Sequence, residues 1–266
     1  MACAIAKAGW SLSVWARRPG SLAVLEGLPH AVHATVAGLG RRCDVVGLCL
    51  RDDEDFEEVV VGQGLLEAMQ PGAVVVNHAT GSPEACRSFE TKGLEHDVAV
   101  LDAPVSGGRE GAIAATLTTM VGGERLAFDR CEPVFAAFSR LTAYLGPAGS
   151  GQLAKLMNNA MFAANLKNVE EMLETAEGLG FDLTGLVELI LASSGRSFAL
   201  EAIAHHIRPE LVAHYQAMVG KDVRYLSDAA RDRGVPRSTL EDRAEQGVAD
   251  LDAAVRRALG QKLPRP

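Results

Sequence analysis

Residues 73–79 read AVVVNHA, a nearly unbroken apolar run in which polar and apolar positions do not alternate. A strand with one wet face alternates. A run apolar on both faces suits a parallel sheet covered on each side by helices. Upstream, Asp44–Leu50 (DVVGLCL) and Leu12–Trp15 share this texture. Downstream, Val98–Pro104 (VAVLDAP), Thr116–Gly122 (TLTTMVG) and Leu141–Leu145 continue the series, with helix-favouring segments between them. The chain opens on an Ala-rich helical stretch over residues 2–8, punctuated by Gly9 before Leu12–Trp15. Strands alternating with helices predict an α/β nucleotide-binding domain over residues 1–146.

The texture changes after Gly146-Pro147-Ala148-Gly149. From Gly151 to Leu179 one long helical pattern runs without proline. Further helix-forming segments follow, punctuated at Pro209, Pro236 and the tail Pro264–Pro266. An all-helical second domain is expected over residues 147–266. A helix of that length spans roughly 40 Å. Its apolar residues Leu153, Leu156, Met157, Met161, Phe162 and Leu166 are too many for one narrow stripe. It is therefore expected to run through the helical domain and to pack against a second subunit.

At 266 residues and 48% apolar composition, the chain can bury a substantial core. A net charge of -8 argues against nucleic acid or an anionic membrane as the main partner, though not against a small anion in a local basic pocket. No run of some 18 apolar residues and no signal-peptide pattern is present, so a cytoplasmic location is expected. The five cysteines match no zinc or thiol-redox spacing and are expected as buried small apolar residues. No Ser/His/Asp order and no His-Glu-x-x-His run occurs. The adjacent His205 and His206 would point apart on a helix, so no metal is expected.

Three stretches carry chemistry. In Asp102-Ala-Pro-Val-Ser-Gly-Gly-Arg-Glu-Gly-Ala112, followed by TLTTMVGG over residues 116–123, adjacent glycines after a strand expose backbone N–H groups beside a serine hydroxyl. That set suits a carboxylate or a phosphate, and equally a plain turn. In Gly149-Ser-Gly-Gln-Leu-Ala-Lys-Leu-Met-Asn-Asn159, Lys155 and Asn159 are four apart and share a helix face. Lys155 sits among apolar residues, where burial would lower its pKa toward that of a proton donor. A solvent-facing lysine is the alternative, and spacing alone favours it. In Val219-Gly-Lys-Asp-Val223, Lys221 and Asp222 form a pair that by itself reads as a surface ion pair or a helix-end feature.

Taken together and in this order, these stretches resemble the β-hydroxyacid dehydrogenases, the family of 3-hydroxyisobutyrate dehydrogenase and tartronate semialdehyde reductase. The resemblance covers nearly the whole chain and rests on DAPVSGGREGA with TLTTMVGG, on GSGQLAKLMNN and on GKDV. It implies a Rossmann-type N-terminal domain and a helical C-terminal domain. It also implies hydride transfer between a nicotinamide and a small 3-hydroxy acid or its aldehyde. Lys155 is similar to the family's catalytic lysine, which exchanges a proton with the substrate oxygen. Asn159 would hydrogen-bond the substrate and help fix Lys155, and Ser106, Gly107 and Gly108 would hold the substrate carboxylate. Lys221 resembles the lysine that reaches back to the cofactor, with Asp222 orienting it. Thr80 matches a threonine near the nicotinamide, and Leu50 and Arg51 match a Leu-Pro pair whose backbone borders the cofactor. Arg51 in place of proline, Asn77-His78-Ala79 in place of Asp-x-Ser, and Ala16 in place of asparagine depart from the family pattern. Arg109, Ser197, Phe198 and His214 are unranked candidates for the far side of the substrate.

The end of the second strand of a dinucleotide fold faces the adenosine ribose, where an acid favours a free 2′-hydroxyl and arginine a 2′-phosphate. Arg17 and Arg18 lie there without an acid, so NADP(H) is expected over NAD(H). Against the family pattern, Met1 falls in the first turns of the helix that follows the Gly-x-Gly-x-x-Gly loop. Roughly fifteen preceding residues, a strand and that loop, would then be missing. The coding region is accordingly expected to begin upstream, and the chain as given to lose most cofactor affinity and to expose two strand edges. An imine reductase shares the architecture but generally lacks the lysine. A non-catalytic dimerising homologue is the remaining alternative. A homodimer or larger homo-oligomer is expected.

Overall fold

The computed structural model describes residues 1–260; the prolines at 264 and 266 lie outside the described residues. The chain divides into two compact units, Met1–Lys155 and Leu156–Pro266.

In the first unit the strands are β1 (Ser13–Val14), β2 (Ala31–Val32), β3 (Val45–Leu48), β4 (Val74–Asn77), β5 (Ala99–Asp102), β6 (Val105–Ser106), β7 (Leu117–Gly122) and β8 (Ser139–Gly146). The α-helices are α1 (Ala2–Lys7), α2 (Val36–Gly40), α3 (Asp53–Glu57), α4 (Leu65–Ala68), α5 (Pro83–Leu94), α6 (Gly108–Ala114) and α7 (Arg125–Phe135), followed by α8 (Ser150–Gly178), which continues into the second unit. β1 and β2 pair in parallel as a two-stranded sheet, and the other strands form a six-stranded one. In the latter, β3, β4 and β5 run parallel, β7 is antiparallel to β5 and β6, and β8 is parallel to β7. A single register joins β5 and β6 to β7, pairing Asp102 with Gly122, Val105 with Thr119 and Ser106 with Thr118. The two are one strand interrupted at Pro104, whose ring nitrogen has no N–H to donate. That strand delivers Ser106 directly into Gly107 and Gly108.

β4 meets the two-faced expectation. Val75 packs with Val46, Leu48, Phe56, Leu65 and Phe89, while Val74 and Val76 pack with Leu101, Leu117, Phe128, Phe135 and Phe138. β3 departs from it: Val46 and Leu48 are buried, whereas Gly47 and the following Cys49 are exposed. An apolar run reports what its side chains tolerate and says nothing about whether neighbours arrive to cover them. The cysteine expectation is corrected in the same way. Cys86 and Cys131 are buried, Cys3 and Cys43 only partly, and Cys49 is exposed. β2, two exposed residues long, and β6, behind a proline, carry too little pattern to be read from sequence.

The second unit is helical: the body of α8, then α9 (Leu183–Leu191), α10 (Phe198–Glu201), α11 (Val212–Asp232), α12 (Thr239–Ala249) and α13 (Leu251–Ala258). α8 runs through its core. Leu156, Ala160, Ala163 and Ala164 pack with Val219, Val223, Leu226 and Ala244, while Leu166, Val169 and Leu173 pack with Leu200, Ile203, Leu251 and Val255. The alanines let helices approach closely. A Cβ placed on Gly247 of α12 would fall 2.0 Å from the Ala163 carbonyl oxygen. Met157 and Met161 of α8 stay exposed, at 51% and 55%. Among the described residues no helix is long and apolar enough to cross a membrane.

Candidate functional site

The predicted site residues of the first unit lie at and just beyond the C-terminal ends of the sheet strands, where open α/β sheets bind ligands. Asp102 ends β5 with 2% of its surface exposed. Its Oδ1 accepts from the Gly149 N–H at 2.7 Å and its Oδ2 from the Gln152 N–H at 2.8 Å, so one carboxylate anchors the entry to α8. Burial pushes its pKa up, against these backbone donors, which lower it. The fit leaves no spare room, since a Cβ on Gly151 would stand 2.4 Å from the Met120 carbonyl oxygen.

Gln152, fully buried, holds the loop after β4 from both sides of Thr80. Its Nε2 donates to the Ala79 carbonyl at 2.7 Å and its Oε1 accepts from the Gly81 N–H at 3.0 Å. Asn77, at the end of β4, turns its Oδ1 to the Ala79 N–H at 2.9 Å. Its Nδ2 is buried without a protein acceptor. The neighbouring His78 donates from Nδ1 to the Ala103 carbonyl at 2.8 Å, with Phe135 and Phe138 edge-on to its ring. Burial pushes its pKa down to about 4. Ser106 is half-buried, and Gly107 (φ +126°) and Gly108 (φ +61°) take backbone conformations that glycine alone adopts freely.

The expectation that no acid accompanies Arg17 is corrected, because Asp55 joins Arg17, beyond β1, to Arg51, beyond β3. Asp55 of α3 accepts from Arg17 Nη1 at 2.9 Å, from Arg51 Nε at 2.8 Å and from Arg51 Nη2 at 3.2 Å. The two guanidinium groups, Arg51 foremost, hold its carboxyl well below the usual carboxylate range. Arg18 is exposed, and Leu50 is half-buried against the apolar core beneath it.

On α8, Lys155 is half-buried, which places it between the two alternatives left open by spacing. Asn159, one turn on, donates from Nδ2 to Asp222 Oδ2 of α11 at 2.6 Å. Lys221 Nζ lies 3.6 Å from Asp222 Oδ1 and 5.4 Å from the centre of the Tyr225 ring. Asp222 is 1% exposed and sits in the interior of a 21-residue helix, which corrects its reading as a surface ion pair or helix-end feature. Ser197 caps α10 through the Leu200 N–H, and Phe198 stacks near Phe162, so both have structural partners. Gln152 lay inside a quoted motif, but its role needed the distant Ala79 and Gly81 to be visible. Asp55 stands four residues after Arg51 at helical spacing, a signal that could have found half of its cluster.

A largely parallel sheet with charged and glycine-bearing strand ends, followed by a helical unit, defines a Rossmann-type dinucleotide-binding fold joined to an all-α domain. Residues 1–146 match the NAD binding domain of 6-phosphogluconate dehydrogenase, and residues 149–262 match the NAD-binding region of NADP-dependent 3-hydroxyisobutyrate dehydrogenase. The chain belongs to the β-hydroxyacid dehydrogenase family. It is 30% identical to the L-threonate dehydrogenase of Cupriavidus necator over 243 residues, 89% of this chain and 81% of that protein. Identity to the NAD-dependent L-serine dehydrogenase of Pseudomonas aeruginosa is 38% over 157 residues, 59% of this chain and 49% of that one. The structure of Mycobacterium tuberculosis 3-hydroxyisobutyrate dehydrogenase with L-serine is similar with a TM-score of 0.78 at 25% identity, over 96% of this chain and 92% of that one. The chain spans about half the length of several of the curated relatives it matches, from 49% to 59%.

Proposed function

We propose that the chain is an NAD(P)-dependent oxidoreductase that moves a hydride between a nicotinamide and a small 3-hydroxy acid or its semialdehyde, with Lys155 as general acid and base. The observation that carries this reading is the hydrogen bond from Asn159 to the buried Asp222 at 2.6 Å, on the helix that presents Lys155 one turn earlier. The residues of the first unit fit a nicotinamide dinucleotide. Asn77 offers a buried amide donor at a strand end.

When bound, the cofactor supplies or accepts the hydride at its nicotinamide ring. In the reducing direction Lys155 Nζ gives a proton to the substrate carbonyl oxygen, and in the oxidising direction it takes one from the hydroxyl. Its ammonium also stabilises negative charge developing on that oxygen. Asn159 hydrogen-bonds the substrate, and Ser106 with Gly107 and Gly108 holds the carboxylate. Lys221 reaches toward the cofactor, and Asp222 orients both Lys221 and Asn159. Thr80, Leu50 and Arg51 border the cofactor, and Arg17 and Arg18 favour NADP(H) over NAD(H). The exposed Met157 and Met161 face of α8 supports a homodimer or larger homo-oligomer.

The test is Lys155→Ala assayed with NADPH against glyoxylate, succinic semialdehyde and tartronate semialdehyde. Turnover should fall by about 10²–10⁴-fold, with nucleotide affinity within about twofold of the parent. Undiminished turnover would refute the role of Lys155.

A further inference from the structure

The first turn of α8 is tied to two separate parts of the sheet through one residue. The Gln152 backbone N–H donates to Asp102 Oδ2 at 2.8 Å, at the end of the strand that leads on to Ser106. Its side chain reaches elsewhere, donating from Nε2 to the Ala79 carbonyl at 2.7 Å and accepting at Oε1 from the Gly81 N–H at 3.0 Å. A primary amide carries a carbonyl and N–H donors in one plane, as a peptide unit does. It therefore supplies this loop with the rung that a neighbouring strand would otherwise provide. Ala79 and Gly81 are both buried, so an unmet carbonyl or N–H there is costly. Thr80, between them, is half-buried. The loop is held again where the Ser82 N–H donates to Asp53 Oδ2 at 2.8 Å. It also lies directly against the entry to α8, since a Cβ on Gly149 would stand 2.7 Å from the Pro83 carbonyl oxygen. Lys155 follows Gln152 by three residues and is its neighbour on the helix surface.

We infer that Gln152 is a positioning residue for hydride transfer, fixing Thr80 on the cofactor side relative to Lys155 on the proton-transfer side. The inference rests on the roles given above to Thr80 and Lys155, and adds a fully buried residue that acts only through them. Hydride and proton must reach the same carbonyl group, so the loop and the helix turn need a fixed separation. A misplacement of about 1 Å between reacting groups costs about 10²-fold in rate. Gln152 spans that separation with its own side chain, and its backbone refers the same turn to the strand that carries Ser106.

Kinetics and hydrogen exchange together test this. With NADPH and whichever aldehyde of the panel above the parent reduces fastest, Gln152→Leu should lower kcat about 10²-fold and leave KM within about threefold. Leu66→Ala, in the core of the same unit and with no part in the loop's hydrogen bonds, controls for lost stability and should keep kcat within about twofold of the parent. On a Thr80→Ala background the Gln152→Leu loss should shrink to about threefold or less, because both changes break one linkage. Without any turnover, the Gly81 N–H should exchange at least about tenfold faster in Gln152→Leu than in the parent, followed by NMR. Gln152→Glu adds a pH profile. A neutral carboxyl presents one donor and one acceptor, as the amide does, whereas a carboxylate offers the Ala79 carbonyl no donor. The kcat of Gln152→Glu relative to the parent should therefore rise at least about fivefold from pH 8 to pH 5.5. Asp53, Cys86 and Asp102 are the titratable groups around that side chain, and they are common to both proteins. A parent that reduces none of the panel overturns the proposed function together with this inference. In an active parent, a Gln152→Leu kcat equal to that of Leu66→Ala overturns the inference alone. So do a Thr80→Ala change without effect, losses that multiply in the double variant, or unchanged exchange at Gly81. If Gln152→Leu does not fold, the Gln152→Glu profile decides, and a flat ratio to the parent overturns the positioning role.

Discussion

Asp102 and Asp55 are both low-exposure carboxylates near strand ends of the same unit, and they are satisfied in opposite ways. Asp102 takes its hydrogen bonds from the Gly149 and Gln152 backbone N–H groups, and burial pushes its pKa up. Asp55 takes its hydrogen bonds from Arg51 and Arg17, whose charges hold its pKa down. Backbone donors are fixed by the fold and bring no charge of their own to offset desolvation. Asp102 is consequently a joint of the architecture, tying the end of β5 to the start of α8. Side-chain donors are mobile and charged, so Asp55 gathers two cations at the surface. Asp222 combines the two conditions: its partners Asn159 and Lys221 are side chains, yet it is 1% exposed.

The largest effect that would break this comparison is in stability. Asp102→Ala leaves two buried N–H groups without an acceptor, and each such group costs about 1–3 kcal/mol. A loss of about 2–5 kcal/mol in urea unfolding is expected, with a smaller loss for Asp102→Asn, which keeps one acceptor oxygen. Asp55→Ala releases arginines that water can solvate at once, so its loss should be smaller than that of Asp102→Ala. Equal losses in the two alanine variants would erase the distinction between joint and gathering point.

The contrast also marks how far the sequence could be read. The parallel sheet was legible because the β4 run AVVVN is apolar on both faces, and α8 because no proline breaks its pattern. Lys155, Asn159, Lys221 and Asp222 were singled out through local motifs, and of these the structure joins Asn159 to Asp222 and sets Lys221 beside it. The Asp102 anchor, the Gln152 brace around Thr80 and the Arg17–Asp55 pair were not. Each joins residues 38 to 73 positions apart through single hydrogen bonds that leave no periodic trace. The exposure of Gly47 and Cys49 was hidden for a related reason: apolar composition cannot say whether a covering element is present.

A smaller effect extends the comparison to a base at the neighbouring strand end. His78 has no acid against its ring, and its native pKa is about 4 rather than 6.5. Between those values the unfolded chain binds a proton that the native state refuses, so stability falls as the pH drops from 6.5 toward 4. The shift corresponds to about 3 kcal/mol. His78→Asn keeps a donor for the Ala103 carbonyl and removes the titration. Its stability should therefore gain on the parent as the solution is acidified, measured by urea midpoints from pH 7 to 4.5. Parallel pH curves for the two proteins would show that the ring is protonated at no extra cost in the native state.

The smallest effect separates the two aspartates most sharply, because their pH dependences have opposite signs. The raised pKa of Asp102 means that, above the ordinary carboxylate value of about 4, the native state still holds a proton that the unfolded chain has released. Its contribution to stability is fully present below that value and is lost as the pH rises through its native pKa. The depressed pKa of Asp55 gives the reverse, a contribution fully present above about 4 and lost as the pH falls toward its native value. Relative to the parent, Asp102→Asn should improve as the pH rises from about 4 to 6, where burial penalises the charged aspartate. Asp55→Asn should be weaker than the parent above about 4 and converge on it below. Urea midpoints of the three proteins between pH 2.5 and 6 read both slopes in one series. Slopes of the same sign would mean that both carboxylates are governed by burial, and that the arginines do not set the charge state of Asp55.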